Sequence, residues 1–206
     1  MVFARLRLAA RRAAPEPPSL PHYDDASTLR EARARYFAEN GFGDGGYAKR
    51  WVRVQLGPVP LWMPNTASRV RSVRLHDLHH VVTGYDTDLV GEGEIGAWEV
   101  GSHCRDHWAA WVLNLGAMGL AVLLAPGRLL RAFARGRRSW NLYEGEWDEE
   151  ILDEKVGDLR MRLGVEAALG PPVILDYLLF GLWSLGGLAL ILALPALLVA
   201  LLVALL

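Results

Sequence analysis

Apolar residues recur at helical spacing through much of this chain and merge into an unbroken run at its end. The stretch YLLFGLWSLGGLALILALPALLVALLVALL (177–206) holds thirty residues without a charge. That exceeds the roughly 20 residues needed to cross hydrocarbon. One small domain has no core deep enough to cover such a helix on all sides. The pattern therefore predicts a membrane segment, either one span kinked at Pro195 or a re-entrant hairpin. AAWVLNLGAMGLAVLLAP (109–126) is also apolar, but it offers only about seventeen residues before Pro126, the lower limit for a span. Its glycines and Asn114 suit a helix that lines a groove.

Capping residues frame the remaining elements. ASTLREARARYFAENGFG predicts a helix capped by Ser27 or Thr28, with Glu31 in its first turn, that stops at Asn40-Gly41. TASRVRSVRLHDLHHVVTG predicts a second, from Thr66 or Ser68 to Gly84, and a third starts at Thr87 or Asp88. WDEEILDEKVGDLRMRLGV (147–165) carries Ile151, Leu152, Val156, Leu159 and Leu163 near helical spacing and predicts one amphipathic helix. WVRVQL alternates and is followed by prolines, which predicts a short strand pair or an extended arm. APEPPSLPHYDD (14–25) reads as a linker. The expected fold is all-α: a basic arm and linker at 1–25, a compact helical domain at 26–170 with a metal site between two helices, and an apolar membrane helix or hairpin at 171–206.

Charge changes this picture little. The net charge is −1 over 206 residues, so nothing in bulk favours nucleic acid as a partner. Basic stretches at 1–14 and 126–138 adjoin apolar sequence and point slightly toward a membrane surface rather than a solvated helix face. Cys104 is the only cysteine, which excludes an internal disulfide and a cysteine-based zinc knuckle and makes a reducing compartment the default. Its environment is expected to be half-buried. The N-terminus has no continuous apolar core for secretion. Its arginine-rich, acid-poor character suits a mitochondrial presequence, and a GC-rich genome explains it equally well.

The candidate chemistry lies in RLHDLHHVVTGYDTDLVGEGE (74–94). Three of the chain's six histidines stand between positions 76 and 80. His76 and His80 are four apart and share one helix face, the spacing by which two imidazoles reach one ion. Asp77 can supply a third ligand or orient an imidazole. Glu92, on the next helix, can face both histidines across an antiparallel pair. Two histidines and one or two carboxylates with open positions suit zinc, iron or manganese. Glu99 and His103 continue the Glu92 stripe and are expected to line the site. His79 is a competing ligand or, as its direction suggests, lies on a neighbouring face, and Glu94 points away. Arg71 and Arg74 precede His76 and either hold an anionic group or form a solvated basic face, the second being favoured. A zinc-protease reading needs a longer base than Asp77. The His-Asp phosphohydrolase reading lacks an upstream histidine outside the linker, and a di-iron bundle lacks its Glu-x-x-His repeats.

HDLHH, eleven residues and then Glu92 resemble the signature of the coenzyme Q (ubiquinone) biosynthesis protein 4 family. HDLHHVVTGYDTDLVGE is similar to that family's central block, and GRRSWNLYEGEWDEEILDEKVGDLRMRLGV (136–165) to its C-terminal block, so the resemblance covers roughly 28–166. It implies an all-helical, membrane-associated fold with a divalent metal, commonly zinc, held at His76, Asp77, His80 and Glu92. It implies a role in ubiquinone assembly, through loss of the C1 carboxyl of a prenylated aromatic head group with hydroxylation there, or through organising the other biosynthetic enzymes. The implied partners are a prenylated quinone precursor or isoprenoid lipid, the membrane, those enzymes and a second copy in a homodimer. The implied place is the cytoplasmic face of a bacterial inner membrane, or the mitochondrial inner membrane. The charge-free tail goes beyond the family's peripheral attachment and would make this protein integral. A non-catalytic lipid-binding scaffold with structural metal and a metal-dependent hydrolase are the alternatives.

Overall fold

The computed structural model describes residues 23–56 and 59–204. Residues 1–22, the expected basic arm and most of the linker, lie outside the described residues. The linker does not extend to 25. Tyr23 is buried. Its carbonyl accepts a hydrogen bond from Arg160 Nη1 at 3.1 Å, and the Asp25 carboxylate accepts another from the same guanidinium.

Seven helices and one hairpin follow among the described residues. Helix α1 (Leu29–Asn40) starts at a capping box in which Thr28 and Glu31 satisfy each other's backbone, and it ends at Gly41 in the left-handed region. The hairpin pairs β1 (Trp51–Leu56) with β2 (Val59–Pro64), antiparallel, with Trp51 opposite Pro64. Asn65 ties its base: Nδ2 donates to the carbonyls of Gly46, Tyr47 and Lys49 at 3.1, 3.1 and 2.8 Å. The strand-pair expectation for this stretch thus holds, within a mainly helical molecule.

Helix α2 (Ala67–Thr83) is capped by Thr66 and stopped by Gly84. Its last carbonyls have no partners within the helix, and two buried arginines supply them. Arg160 donates to Val81 and Val82, and Arg135 to Thr83. Cations there also oppose the negative end of the helix dipole. Helix α3 (Leu89–Ser102) is capped by Asp88, whose carboxylate accepts from Gly91 N at 2.7 Å. Helix α4 (Trp108–Ala121) and helix α5 (Pro126–Gly136) complete a three-helix layer with α3. The expected amphipathic helix at 147–165 is instead a 3-10 turn, Glu149–Asp153, followed by a short helix α6 (Val156–Leu163). An inward-facing break explains this. Leu29 N and Val156 N reach the carbonyls of Glu154 and Ser27, so the backbone at 154–156 bonds to the start of α1 rather than to itself.

Helix α7 (Ile174–Ala204) is continuous through Pro195, so the tail is one helix and not a hairpin. Its first half belongs to the body. Asp176 is buried and accepts from Arg137 and Arg138, the latter at 2.7 Å. Phe180 packs on Phe133, and Trp183 stacks on Trp111 with ring centres 5.1 Å apart. Gly119 and Gly187 let the backbones of α4 and α7 touch: a Cβ on Gly119 would lie 2.6 Å from the Gly187 carbonyl carbon. The expected boundary between 170 and 171 therefore cuts a packed interface. Much of the basic stretch at 126–138 is also committed internally, to Glu94, to backbone carbonyls and to Asp176. Among the described residues, α7 is the one helix long and apolar enough to cross a membrane, with a mean hydropathy of 1.8 over Ile174–Ala193.

Candidate metal centre

Helices α2 and α3 run antiparallel and bring His76, His80 and Glu92 together. Their donor atoms lie within 4.8 Å of one another. His76 Nε2 is 3.1 Å from His80 Nε2, and each is 3.5 Å from one oxygen of Glu92. Donors held ~2.1 Å from one ion at tetrahedral angles stand about 3.4 Å apart. The observed spacings lie near that value, with His76 approaching Oε2 and His80 approaching Oε1 of the same carboxylate.

The rings are set to point Nε2 inward. His80 Nδ1 lies 2.8 Å from the Tyr85 carbonyl, an acceptor only, so Nδ1 carries the proton. His76 Nδ1 lies 2.8 Å from Glu99 Oε1, again an acceptor. Both Nε2 atoms therefore present lone pairs to the same point, beside a carboxylate. Such a cluster demands a cation or a proton. The electrostatics say the same. Burial opposes charge on His76, yet Glu99 and Glu92 hold its pKa well above 6.5. Burial would raise Glu92, but His80 and His76 bring it down to about 2. Tyr36 stacks on the His80 ring at 5.4 Å and limits its rotation.

Glu99 lies behind the triad and is fully buried. Besides His76, it accepts from His79 Nδ1 at 2.6 Å, from the Tyr143 hydroxyl at 2.8 Å and from Asn114 Nδ2. His79 is thereby committed: its other nitrogen accepts from Leu142 N at 2.9 Å. It is a buried positioning residue on the neighbouring face, as its spacing predicts. Asp77 stands beside the converging set. One of its oxygens accepts from the Tyr47 hydroxyl at 2.5 Å, and burial pushes its pKa up despite that bond. Arg74 lies between Tyr47 and Trp147, 5.2 and 5.4 Å from their ring centres. Arg71 pairs with Asp106 and Glu146. Glu94 points away to Arg128.

His103 does not line the site. α3 ends at Ser102, and His103 takes φ 80°, which turns its exposed ring onto Trp111. Cys104 is fully buried rather than half-buried, against the Glu99 carbonyl and Asn114. Sequence reasoning missed Tyr143, Tyr47, Tyr36 and the role of Asn114. Only Asn114 left a signal, as a lone amide in an apolar helix. The three donors fit a divalent ion and leave coordination positions unfilled by protein. No family model, no curated protein and no solved structure matches this chain.

Proposed function

We propose that this protein binds one divalent metal, zinc or alternatively iron or manganese, through His76, His80 and Glu92, and acts on the head group of a prenylated quinone precursor at a membrane. The observation that carries the metal reading is the convergence of two Nε2 lone pairs and a carboxylate at coordination spacing. The substrate reading is supported by the resemblance of HDLHH…Glu92 and of residues 136–165 to the ubiquinone biosynthesis family, and by the apolar helix α7.

The bound metal would supply a Lewis acid for the carboxylate or phenolate of the head group during loss of the C1 carboxyl. The chain's own residues supply the rest. Glu99 fixes His76, and the Tyr85 carbonyl fixes His80. Tyr36 and Tyr47 wall the site with aromatic surface, and Arg74 adds a cation beside it. Three protein donors leave room for a ligand, which favours chemistry over a purely structural ion. The hydrolase reading loses ground because Asp77, its candidate base, already accepts a hydrogen bond from Tyr47.

Elemental analysis of detergent-purified protein, wild type beside His80→Ala, tests the site. The expected result is about one metal per chain, lost in the variant. Metal-loaded protein is then incubated with a prenylated hydroxybenzoate, and carbon dioxide release is followed. Absence of metal from protein prepared without chelator overturns the site. Metal without turnover leaves the lipid-binding scaffold as the function.

A further inference from the structure

The packing of α4 on α7 fixes the register of the two helices. Trp111 stacks on Trp183, a Cβ on Gly187 would meet the Leu115 carbonyl, and a Cβ on Gly119 would meet Gly187 and Ile191. Rising numbers on α4 match rising numbers on α7, so the two helices run parallel. Beyond Gly187, α7 continues to Ala204 as uncharged sequence, roughly 25 Å of helix at ~1.5 Å per residue. The earlier half of α7 packs one face on the body through Asp176, Phe180, Trp183 and Gly187, while Ile174, Leu178, Leu182 and Leu185 leave its outer face apolar and exposed. The half that carries no packed charged body is the later one, and the span is read as centred there.

The parallel register then places the turn after α4 at the head of that span. Leu123 and Leu124, in that turn, are 74% and 63% exposed. They lie about four to five residues past the Gly119 crossing, roughly 6–8 Å further along the axis. Apolar side chains of surface-bound elements reach ~5–10 Å into the headgroup boundary. Arg128 and Arg131 follow on α5, and Asp86 and Asp88 flank Arg128 from the loop before α3. Glu94 pairs with Arg128 as well, so the rim carries no excess of positive charge, and apolar partition rather than attraction to anionic lipid holds it.

We infer that Leu123 and Leu124 form a wedge inserted in the same bilayer that α7 crosses, which places the metal donors at the lipid surface. This rests on reading α7 as a membrane span. The second part follows from α3. Gly93 packs against Ala121 and Leu129, and Gly96 against the Asn114 carbonyl, so α3 runs antiparallel to α4. Its first turn, with Glu92, and the last turn of α2, with His80, share the end of the body that carries the wedge. An amphiphile whose tail stays in lipid can bring its polar head to these donors without leaving the membrane.

Depth-dependent quenching tests this in the full chain, reconstituted in phosphatidylcholine vesicles. A nitrobenzoxadiazole label is placed on Leu123→Cys, Leu124→Cys, Leu192→Cys or Asp106→Cys; native Cys104 is buried and stays unlabelled. Leu192 reports the span, and Asp106 the opposite end of α4. The expected result is several-fold stronger quenching by tail-nitroxide lipid than by aqueous iodide at 192, 123 and 124, and the reverse at 106. Lipid quenching at 192 with iodide quenching at 123 and 124 overturns the wedge and leaves the span standing. Iodide quenching at 192 overturns the span and the wedge with it. Quenching at 123 and 124 that appears only when phosphatidylglycerol is added overturns the apolar basis of the contact.

Discussion

Glu99 has no contact with solvent, and four side chains donate to it. A buried carboxylate is tolerated only when so paired. Its pKa is depressed because His76 and His79, by charge and hydrogen bond, outweigh burial. Glu99→Gln replaces one acceptor oxygen with an amide that itself donates, and it removes the charge that orients His76. Metal affinity should fall roughly 10–100-fold, as for other second-layer partners of metal histidines, in a competition titration with a chromophoric chelator. Unchanged affinity would mean that His76 is held by its helix alone. The same side chains predict the pH response. Metal binding requires a neutral His76, whose pKa is held above 6.5 by Glu99 and Glu92. Proton competition therefore begins above that value as pH falls, and zinc affinity should weaken at a higher pH than an ordinary imidazole ligand would dictate. In metal-free protein the sign differs for Glu92. Its pKa is lowered from 4.5 to about 2, so its contribution to stability is present above 4.5 and is lost as pH falls toward 2.

At the scale of elements, α4 offers a paired test of close packing. A side chain on Gly119 would collide with Gly187, whereas nothing lies within 4 Å of a Cβ on Gly116. Gly119→Leu should destabilise by about 1–3 kcal/mol or more through overpacking. Gly116→Ala should stabilise by about 0.5–1 kcal/mol through helix propensity. Thermal unfolding in detergent separates the two, and equal effects would refute the α4–α7 contact. The helices were largely legible in the sequence because their ends carry local chemistry. Thr28, Thr66 and Asp88 cap, and Gly41 and Gly84 stop. The triad was legible for the same reason: a four-residue spacing on α2 and a short turn to α3 fix Glu92 nearby. The break at 154–156 was hidden because its cause is a distant backbone pairing with Ser27 and Leu29. Tyr143 was hidden likewise. Nothing in NLYEG announces that its hydroxyl reaches Glu99 across 44 residues.

For the molecule as a whole, the proposed membrane reading gives α7 two solvents. Its first half supplies Asp176, Phe180, Trp183 and Gly187 to the body, and its second half is uncharged and continuous with it. A chain ended after Ile191 keeps each of those contacts and loses the uncharged residues that follow them. It should fold, keep its metal and sediment with membranes less than the full chain. A chain ended after Pro172 exposes Phe133 and Trp111 and leaves Arg137 and Arg138 without their buried carboxylate. Re-exposing large apolar side chains costs about 1.5–3 kcal/mol each, a large share of the ~5–15 kcal/mol that holds a domain. That shorter chain should aggregate or unfold. Circular dichroism, metal content and membrane sedimentation of the two truncations distinguish this arrangement from a detachable anchor. If α7 were a separate membrane segment joined at 171, both chains would fold equally well. If the body needed the whole helix, neither would. Folding of the longer chain alone is the outcome expected when one helix both closes the core and crosses the bilayer, because the two jobs are then divided along its length near Gly187.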